Sequence, residues 1–417
     1  MTNDATLLDP SANRGLALDA TQAAPSTSPS TSRFTPPTTL ARTTVLPRID
    51  GDGDAVSLSL DVRSRYEQSK VLGAGGMGEV VLVSDHDIGR KVALKRLLPD
   101  MTDQAILARF VDEIRTVGRL EHPNIVPIHD VGVDAEGRYF FVMKYVDGET
   151  LESVIEKLAA GDAEYVSRFS VEGRIEVFLG LLHALEYAHA RGIVHRDIKP
   201  ANVMIGRFGE VILMDWGIAK TLADKRDPAA FVNGSIAEPD APRARMYATR
   251  VGTLIGTPAY MSPEQASGDP SKIDARSDIY SAIVLFHELL GLEHYLADKP
   301  SLEAMLAAIK SEDMGYVKIL GMRRRPPAEL MHLLVKGLNK DPAKRFQSAT
   351  ELVGTLQEIL EGKARVQCHM TFTKRTFREL GRLVDRAPLA GFATLMGIIL
   401  SVLFAATQLI RLVLRVV

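Results

Sequence analysis

The chain has 417 residues with a formal net charge of -2, from 50 Lys+Arg against 52 Asp+Glu, so no global basic field marks a nucleic-acid partner and none is expected. Its single cysteine, Cys368, excludes a disulfide framework. Hydrophobic residues at 46% support a sizeable core, and at roughly 150 residues per domain the length suggests two to three units.

In chain order, residues 1–62 read as a disordered tail. The start, Met1-Thr-Asn-Asp, has neither the basic nor the apolar region of a signal peptide. Between Pro25 and Thr39, 13 of 15 residues are Ser, Thr or Pro. Such a segment has too little apolar surface to offset its ordering entropy.

From residue 63 the composition turns globular. Val80 to Val83 and Lys91 to Lys95 are β-rich runs with Asp87-Ile-Gly89 as turn material between them, and Tyr139 to Met143 is a further strand. Helical periodicity then takes over, as in Ile175 to Ala190, where Ile175, Phe178, Leu179, Leu182, Leu185 and Tyr187 fill one broad face. A strand-rich front over 63–146 and a helix-rich back over 147–362 predict an α+β fold of two lobes with a cleft between them.

Residues 363–387 carry seven Lys/Arg against two acids. Leu389 to Ile410 then runs without a charge, about 33 Å as a helix, against a hydrocarbon core of about 30 Å. A buried C-terminal helix would show one polar face and this run shows none. The expectation is a transmembrane helix over 388–410, a basic juxtamembrane segment before it and a short tail, 411–417, after it.

The chemistry-bearing residues follow the same order. Gly73, Gly75 and Gly78 form a G-x-G-x-x-G loop with Gly76 inside it. Missing Cβ atoms let backbone N–H groups approach phosphate oxygens. Alone the letters also suit a tight hairpin or a dinucleotide fingerprint, but the latter needs a helix at the third glycine. Here the strand Val80 to Val83 follows, which favours a lid over nucleotide phosphates. Lys95 on a strand is ordinarily a solvated edge. Glu113, eighteen residues on in a helical stretch, offers the anion that would fix an ammonium on phosphate.

In His195-Arg-Asp197-Ile-Lys199-Pro-Ala-Asn202, an Asp five residues before an Asn can divide the work of phosphoryl transfer. Asp197 would accept the proton of an attacking hydroxyl, Asn202 would hold Mg²⁺, and Lys199 would balance charge on the moving phosphoryl group. The apolar run Val211 to Met214 ends in Asp215, a second oxygen ligand for Mg²⁺. Singly, each acid is most simply a surface or capping residue; in this order they form a set.

That set resembles the bacterial eukaryotic-like serine/threonine protein kinases from Tyr66 to Leu360. The resemblance implies the two-lobed protein kinase fold, with a β-rich N-lobe carrying one helix and a larger helical C-lobe. ATP and Mg²⁺ would be the cofactors and protein Ser/Thr hydroxyls the acceptors. It implies nucleotide contacts from Leu72, Gly73, Gly75, Gly76, Gly78, Val80 and Lys95, with Met143 as gatekeeper and Lys144 and Val146 in the hinge. Lys95 and Glu113 would form the ion pair between strand and helix, Asp197 the catalytic base, and Asn202 and Asp215 the metal ligands.

Gly256 to Glu264 resembles the substrate-docking loop, with Thr257 paired with Lys199. Asp278 resembles the anchor of the catalytic loop, and Arg345 the partner of Glu264 in a buried ion pair, whose one-sided loss typically costs about 3–5 kcal/mol. The sequence departs from the family in Trp216 for Phe, in Ser262 for Ala, and in a proline-bearing stretch around Asp224–Pro242. An arginine before the catalytic Asp, here Arg196, implies activation by phosphorylation at Thr249 or Thr253.

Two other functions compete, a membrane-tethered pseudokinase scaffold and a small-molecule phosphotransferase. The first ordinarily lacks Lys95, Asp197 or Asp215, and the second the docking segment. The membrane is an expected partner. A small-xxx-small stripe, Ala393, Gly397, Ser401 and Ala405, suggests a homodimer through the span. Five basic residues just before the span place the kinase domain in the cytoplasm.

Overall fold

Alternating apolar positions build the first lobe. In the computed structural model, β3 (Tyr66–Ala74), β4 (Gly78–Asp85), β5 (Arg90–Leu97), β6 (Ile128–Val133) and β7 (Tyr139–Lys144) form one antiparallel sheet in the order β3-β4-β5-β7-β6. Side chains one residue apart leave opposite faces of a strand. Val81, Val83, Val92, Leu94, Phe140 and Val142 therefore pack together on one face, with Tyr66 against them. Leu97 and Phe141 form a second cluster with Phe110 of helix α1 (Gln104–Val117). Gly132 in β6 has no side chain because a Cβ there would lie 2.5 Å from the Phe140 ring. The sequence-predicted strands at 80–83, 91–95 and 139–143 all lie inside β4, β5 and β7.

The structure describes residues 42–50, 57–59, 62–75, 78–99, 104–216, 220–221, 258–313, 315, 326–361 and scattered positions between 396 and 411. The chain divides at Thr35 and Pro36 into two units, and all described residues fall in the second. Gly76, Thr249, Thr253, Gly256, Thr257 and the stretch around Asp224–Pro242 lie outside the described residues, as does most of the expected membrane span. Among the described residues no helix is long and apolar enough to cross a membrane.

Part of the stretch expected as a disordered tail is structured. Strands β1 (Arg48–Asp50) and β2 (Ser57–Ser59) pair antiparallel, and Thr43 bridges Ser64. Arg42 donates to Asp130 Oδ1 at 2.9 Å and to the Val131 carbonyl at 3.0 Å, while Asp87 Oδ1 accepts the Val45 and Leu46 N–H groups. These polar contacts order a segment whose Val45, Leu46 and Leu58 remain exposed. Apolar content alone therefore misplaces the boundary at 62.

The second lobe is helical: α2 (Leu151–Ala160), α3 (Ala163–Arg168), α4 (Val171–Ala190), α5 (Pro263–Ala266), α6 (Ala275–Gly291), α7 (Leu302–Ser311), α8 (Ala328–Gly337) and α9 (Ala349–Leu360). Its core centres on α4 and α6, where Phe178 and Phe286 stack with centroids 4.1 Å apart and planes 5° apart. Of the face predicted for 175–190, Ile175, Phe178, Leu182 and Leu185 are buried, whereas Leu179 and Tyr187 are partly buried against the same core. Strands β8 (Gly148–Thr150), β10 (Val203–Gly206) and β11 (Val211–Leu213) form a small sheet on this lobe, and the pair β9 (Ile193–Val194) and β12 (Lys220–Thr221) lies beside it. The Val126 N–H donates to the Leu213 carbonyl, tying the sheet to the segment that leads into β6.

Candidate active site

Lys95 projects from β5, which pairs with β4 so that Val80 lies opposite it. Its Nζ lies 2.6 Å from Glu113 Oε1 on α1 and 3.1 Å from Asp215 Oδ1, which follows β11 in the other lobe. One ammonium thus joins strand, helix and second lobe. Burial pushes the Lys95 pKa down, but the carboxylates of Asp215 and Glu113 outweigh it and leave it raised, so the lysine is held charged. Burial likewise pushes Asp215 up, and Lys95 brings it below the usual carboxylate range. Glu113 is the more enclosed acid, and burial leaves it raised despite Lys95.

The Gly-rich loop joins β3 and β4. A Cβ at Gly78 would lie 2.5 Å from the Arg96 carbonyl oxygen, so the third glycine is required by packing against β5. At Gly73 a Cβ would meet nothing within 4 Å. That glycine is left to the close-approach role expected from sequence. Leu72 is exposed at the end of β3, and Val80 lies in β4 directly across from Gly73. Met143 pairs with Ala93 and Lys144 with Val92, while the Lys144 N–H is spent on the Pro127 carbonyl at 3.2 Å. Val146 is buried behind them.

The facing loop runs from β9 to β10. Asp197 Oδ2 lies 2.8 Å from Lys199 Nζ, and Asn202 Nδ2 donates to the Asp197 carbonyl at 2.8 Å and to its Oδ2 at 3.1 Å. With its amide nitrogen so used, Asn202 keeps its carbonyl oxygen as the group that would face a cation. Among the described residues no group of three or more His, Cys, Asp or Glu could hold a metal ion. This donor set nevertheless fits Mg²⁺, which takes one or two protein oxygens and completes its shell with phosphates and water. Asn202 and Asp215 are the residues that would hold it.

This loop is held by Asp278, the anchor that the family resemblance implied, and by residues the sequence did not single out. Arg196 has φ +70 and Asp215 φ +59, both left-handed backbone. Asp278 on α6, buried, accepts the His195 N–H on Oδ2 and the Arg196 N–H on Oδ1, each at 2.8 Å. His189 Nε2 reaches the same Oδ2 at 2.8 Å. Burial raises the Asp278 pKa, and the hydrogen bond from His189 does most to bring it below its ordinary value. His195 is fully buried, which lowers its pKa; its Nδ1 accepts the Asp197 N–H and its Nε2 donates to the Met214 carbonyl. Its ring packs on buried Trp216 with centroids 4.5 Å apart. Trp216, which stands where the family has Phe, is thus fully buried.

Below the docking segment, Arg345 meets Glu264 in a two-pronged pair, Nη1–Oε1 2.8 Å and Nη2–Oε2 2.9 Å. Ser277 Oγ adds a bond to Glu264 Oε1 at 2.7 Å. Burial pushes Glu264 up, and Arg345 more than reverses it. Ser262 caps α5: its Oγ accepts the Gln265 N–H, and the Gln265 side chain accepts the Ser262 N–H in return. A hydroxyl at this position has a structural use that alanine would lack.

Residues 66–356 match the protein kinase domain family. "Probable serine/threonine-protein kinase SCO3848" of Streptomyces coelicolor is 38% identical over 304 residues, covering 72% of this chain and 40% of that protein. Serine/threonine-protein kinase PknD of Protochlamydia amoebophila is 33% identical over 318 residues, 75% of this chain and 32% of its own length. The match thus spans less than half of these relatives. The crystal structure of the Mycobacterium tuberculosis PknI kinase domain is 26% identical, with 71% of this chain and 96% of that one covered and a TM-score of 0.46. The matched stretch runs from β3 into α9, and the chain belongs to the protein kinase domain family.

Proposed function

We propose that the chain transfers the γ-phosphate of ATP to serine and threonine hydroxyls of proteins, its own activation segment included. One observation carries the reading: Lys95 bridges Glu113 and Asp215 across the cleft while Asp197, Lys199 and Asn202 form a bonded set opposite. Asp197 orients the acceptor hydroxyl and takes its proton as the new P–O bond forms. ADP leaves with the bonding electrons of the cleaved P–O bond, and Lys199 balances charge on the moving phosphoryl group. Mg²⁺, when bound at Asn202 and Asp215, supplies charge neutralisation on the phosphates.

Labelled phosphate from Mg-ATP should enter both the protein and a generic protein substrate, and Asp197→Asn should lower kcat by orders of magnitude without changing the fold. A wild-type chain that binds Mg-ATP without turnover would instead favour the pseudokinase scaffold. Transfer only to small molecules would favour the small-molecule phosphotransferase.

Membrane attachment belongs to the same proposal and is supported by sequence: the uncharged run Leu389–Ile410 and the basic residues Lys374, Arg375, Arg378, Arg382 and Arg386 before it. It keeps the kinase domain cytoplasmic, and the small-residue stripe would let two spans pair, bringing two activation segments together for phosphorylation at Thr249 or Thr253. Full-length protein should sediment with membranes and resist extraction by salt and alkali. Recovery in the soluble fraction would overturn the anchor.

A further inference from the structure

Arg196 directly precedes Asp197, the proposed base, and adopts a backbone conformation that L-residues avoid, φ +70. Such geometry persists only where the surroundings over-determine it. On the N–H side, Asp278 fixes the peptides of His195 and Arg196. On the carbonyl side the fixing group is the side chain of Gln265, whose Nε2 donates to the Arg196 carbonyl at 2.8 Å. That carbonyl belongs to the peptide whose N–H is Asp197's own.

Gln265 is itself held. It lies in α5, directly after Glu264 at the end of the docking segment, and is buried. Its Oε1 accepts the Ser262 N–H at 3.0 Å and the Ser262 hydroxyl at 3.1 Å. With oxygen committed to Ser262 and nitrogen to Arg196, the amide has one orientation that satisfies both ends. The Ser262 cap therefore aims the Gln265 donor at the peptide that presents Asp197.

We propose that Gln265, oriented by Ser262, is a positioning residue that couples the docking segment to the catalytic loop. When Pro258–Ala266 is ordered, the Arg196–Asp197 peptide is held at its carbonyl by Gln265 and at its N–H by His195 Nδ1, and the Asp197 carboxylate keeps its place beside Lys199. When the segment is displaced, the clamp loses its carbonyl side and Arg196 can leave the left-handed region. The inference rests on the kinase reading for its catalytic consequence, but the coupling is a property of the fold.

The test uses the full chain with Gln265→Glu and Ser262→Ala. Gln265→Glu keeps the shape and the acceptor toward Ser262 but sets an oxygen against the Arg196 carbonyl. It should lower kcat by about tenfold or more while the KM for ATP stays within about twofold, because misplacement of a reacting group costs rate rather than nucleotide binding. Hydrogen exchange at the His195, Arg196 and Asp197 amides should speed up while α4 and α6 keep their protection. Ser262→Ala should give a smaller change of the same kind, and it carries the test if Gln265→Glu does not fold. Unchanged kcat, unchanged exchange at these amides, or a loss of kcat matched by protection lost throughout the lobe would overturn the proposal. A wild type without turnover would count against the proposed function, and exchange at the three amides would still decide the coupling.

Discussion

Left-handed backbone at Arg196 and Asp215 costs about 1–3 kcal/mol per residue when both are side-chain-bearing, a cost met by the bonds around them. Glu288 is a third residue held in a costly state. It is half-buried on α6, and the Tyr260 hydroxyl donates to its Oε2. Burial raises its pKa, Tyr260 pulls it down and Glu152 pushes it up again, which leaves it at about 7. At Glu288 the folded state therefore holds more proton than the unfolded one between about pH 4.5 and about pH 7, and this group's contribution to stability falls as pH rises through that window. His287 and His294 act in the opposite direction. Burial lowers them to about 4 and about 3, so their contribution is lost as pH falls below about 6.5. Glu288→Gln keeps an acceptor for Tyr260 and isolates the first effect. It should raise the melting temperature relative to wild type at about pH 8 and lose that advantage by about pH 5. An equal gain at both pH values would show that Glu288 is not held above its ordinary range.

Among elements, the segment ahead of β3 behaves as part of the sheet. Asp130 on the edge strand β6 accepts from Arg42 and from the Tyr66 hydroxyl of the opposite edge strand β3 at 3.0 Å, so one carboxylate joins both edges of the sheet. Arg65 bonds Asp85 twice beside them. Arg42→Ala should lower the melting temperature by about 2 °C and make the chain more sensitive to trypsin at Arg48 and Arg63, whereas a tail without structure would change neither. This segment was not legible in the sequence because side-chain carboxylates order it rather than an apolar stripe. Strands β4, β5 and β7 were legible because Val80–Val83, Val92–Leu94 and Phe140–Val142 carry their own pattern. The loop of the candidate site was legible because Asp197, Lys199 and Asn202 lie within a few positions of one another. Of the anchors of that loop, Asp278 came from the family resemblance, whereas Gln265, which reaches Arg196 across 69 positions, was not legible, because no local periodicity operates at that distance.

At the scale of the molecule, two lobes of different construction meet where Lys95 spans from sheet to second lobe, and the proposed chemistry depends on that meeting. The N-lobe supplies the Gly-rich loop, Lys95 and Glu113; the C-lobe supplies Asp197, Lys199, Asn202 and Asp215. Neither lobe holds a complete set. The measurement that tests this most directly is the mass of the full chain after incubation with Mg-ATP, with phosphorylated residues mapped by fragmentation, for the wild type, Asp197→Asn and Asp215→Ala. The account predicts phosphate on serine or threonine in the wild type, and none on either variant although both keep the wild-type melting behaviour. Phosphate on Asp197→Asn at the wild-type rate, or a wild type that stays unmodified and transfers nothing to an added protein, would contradict it.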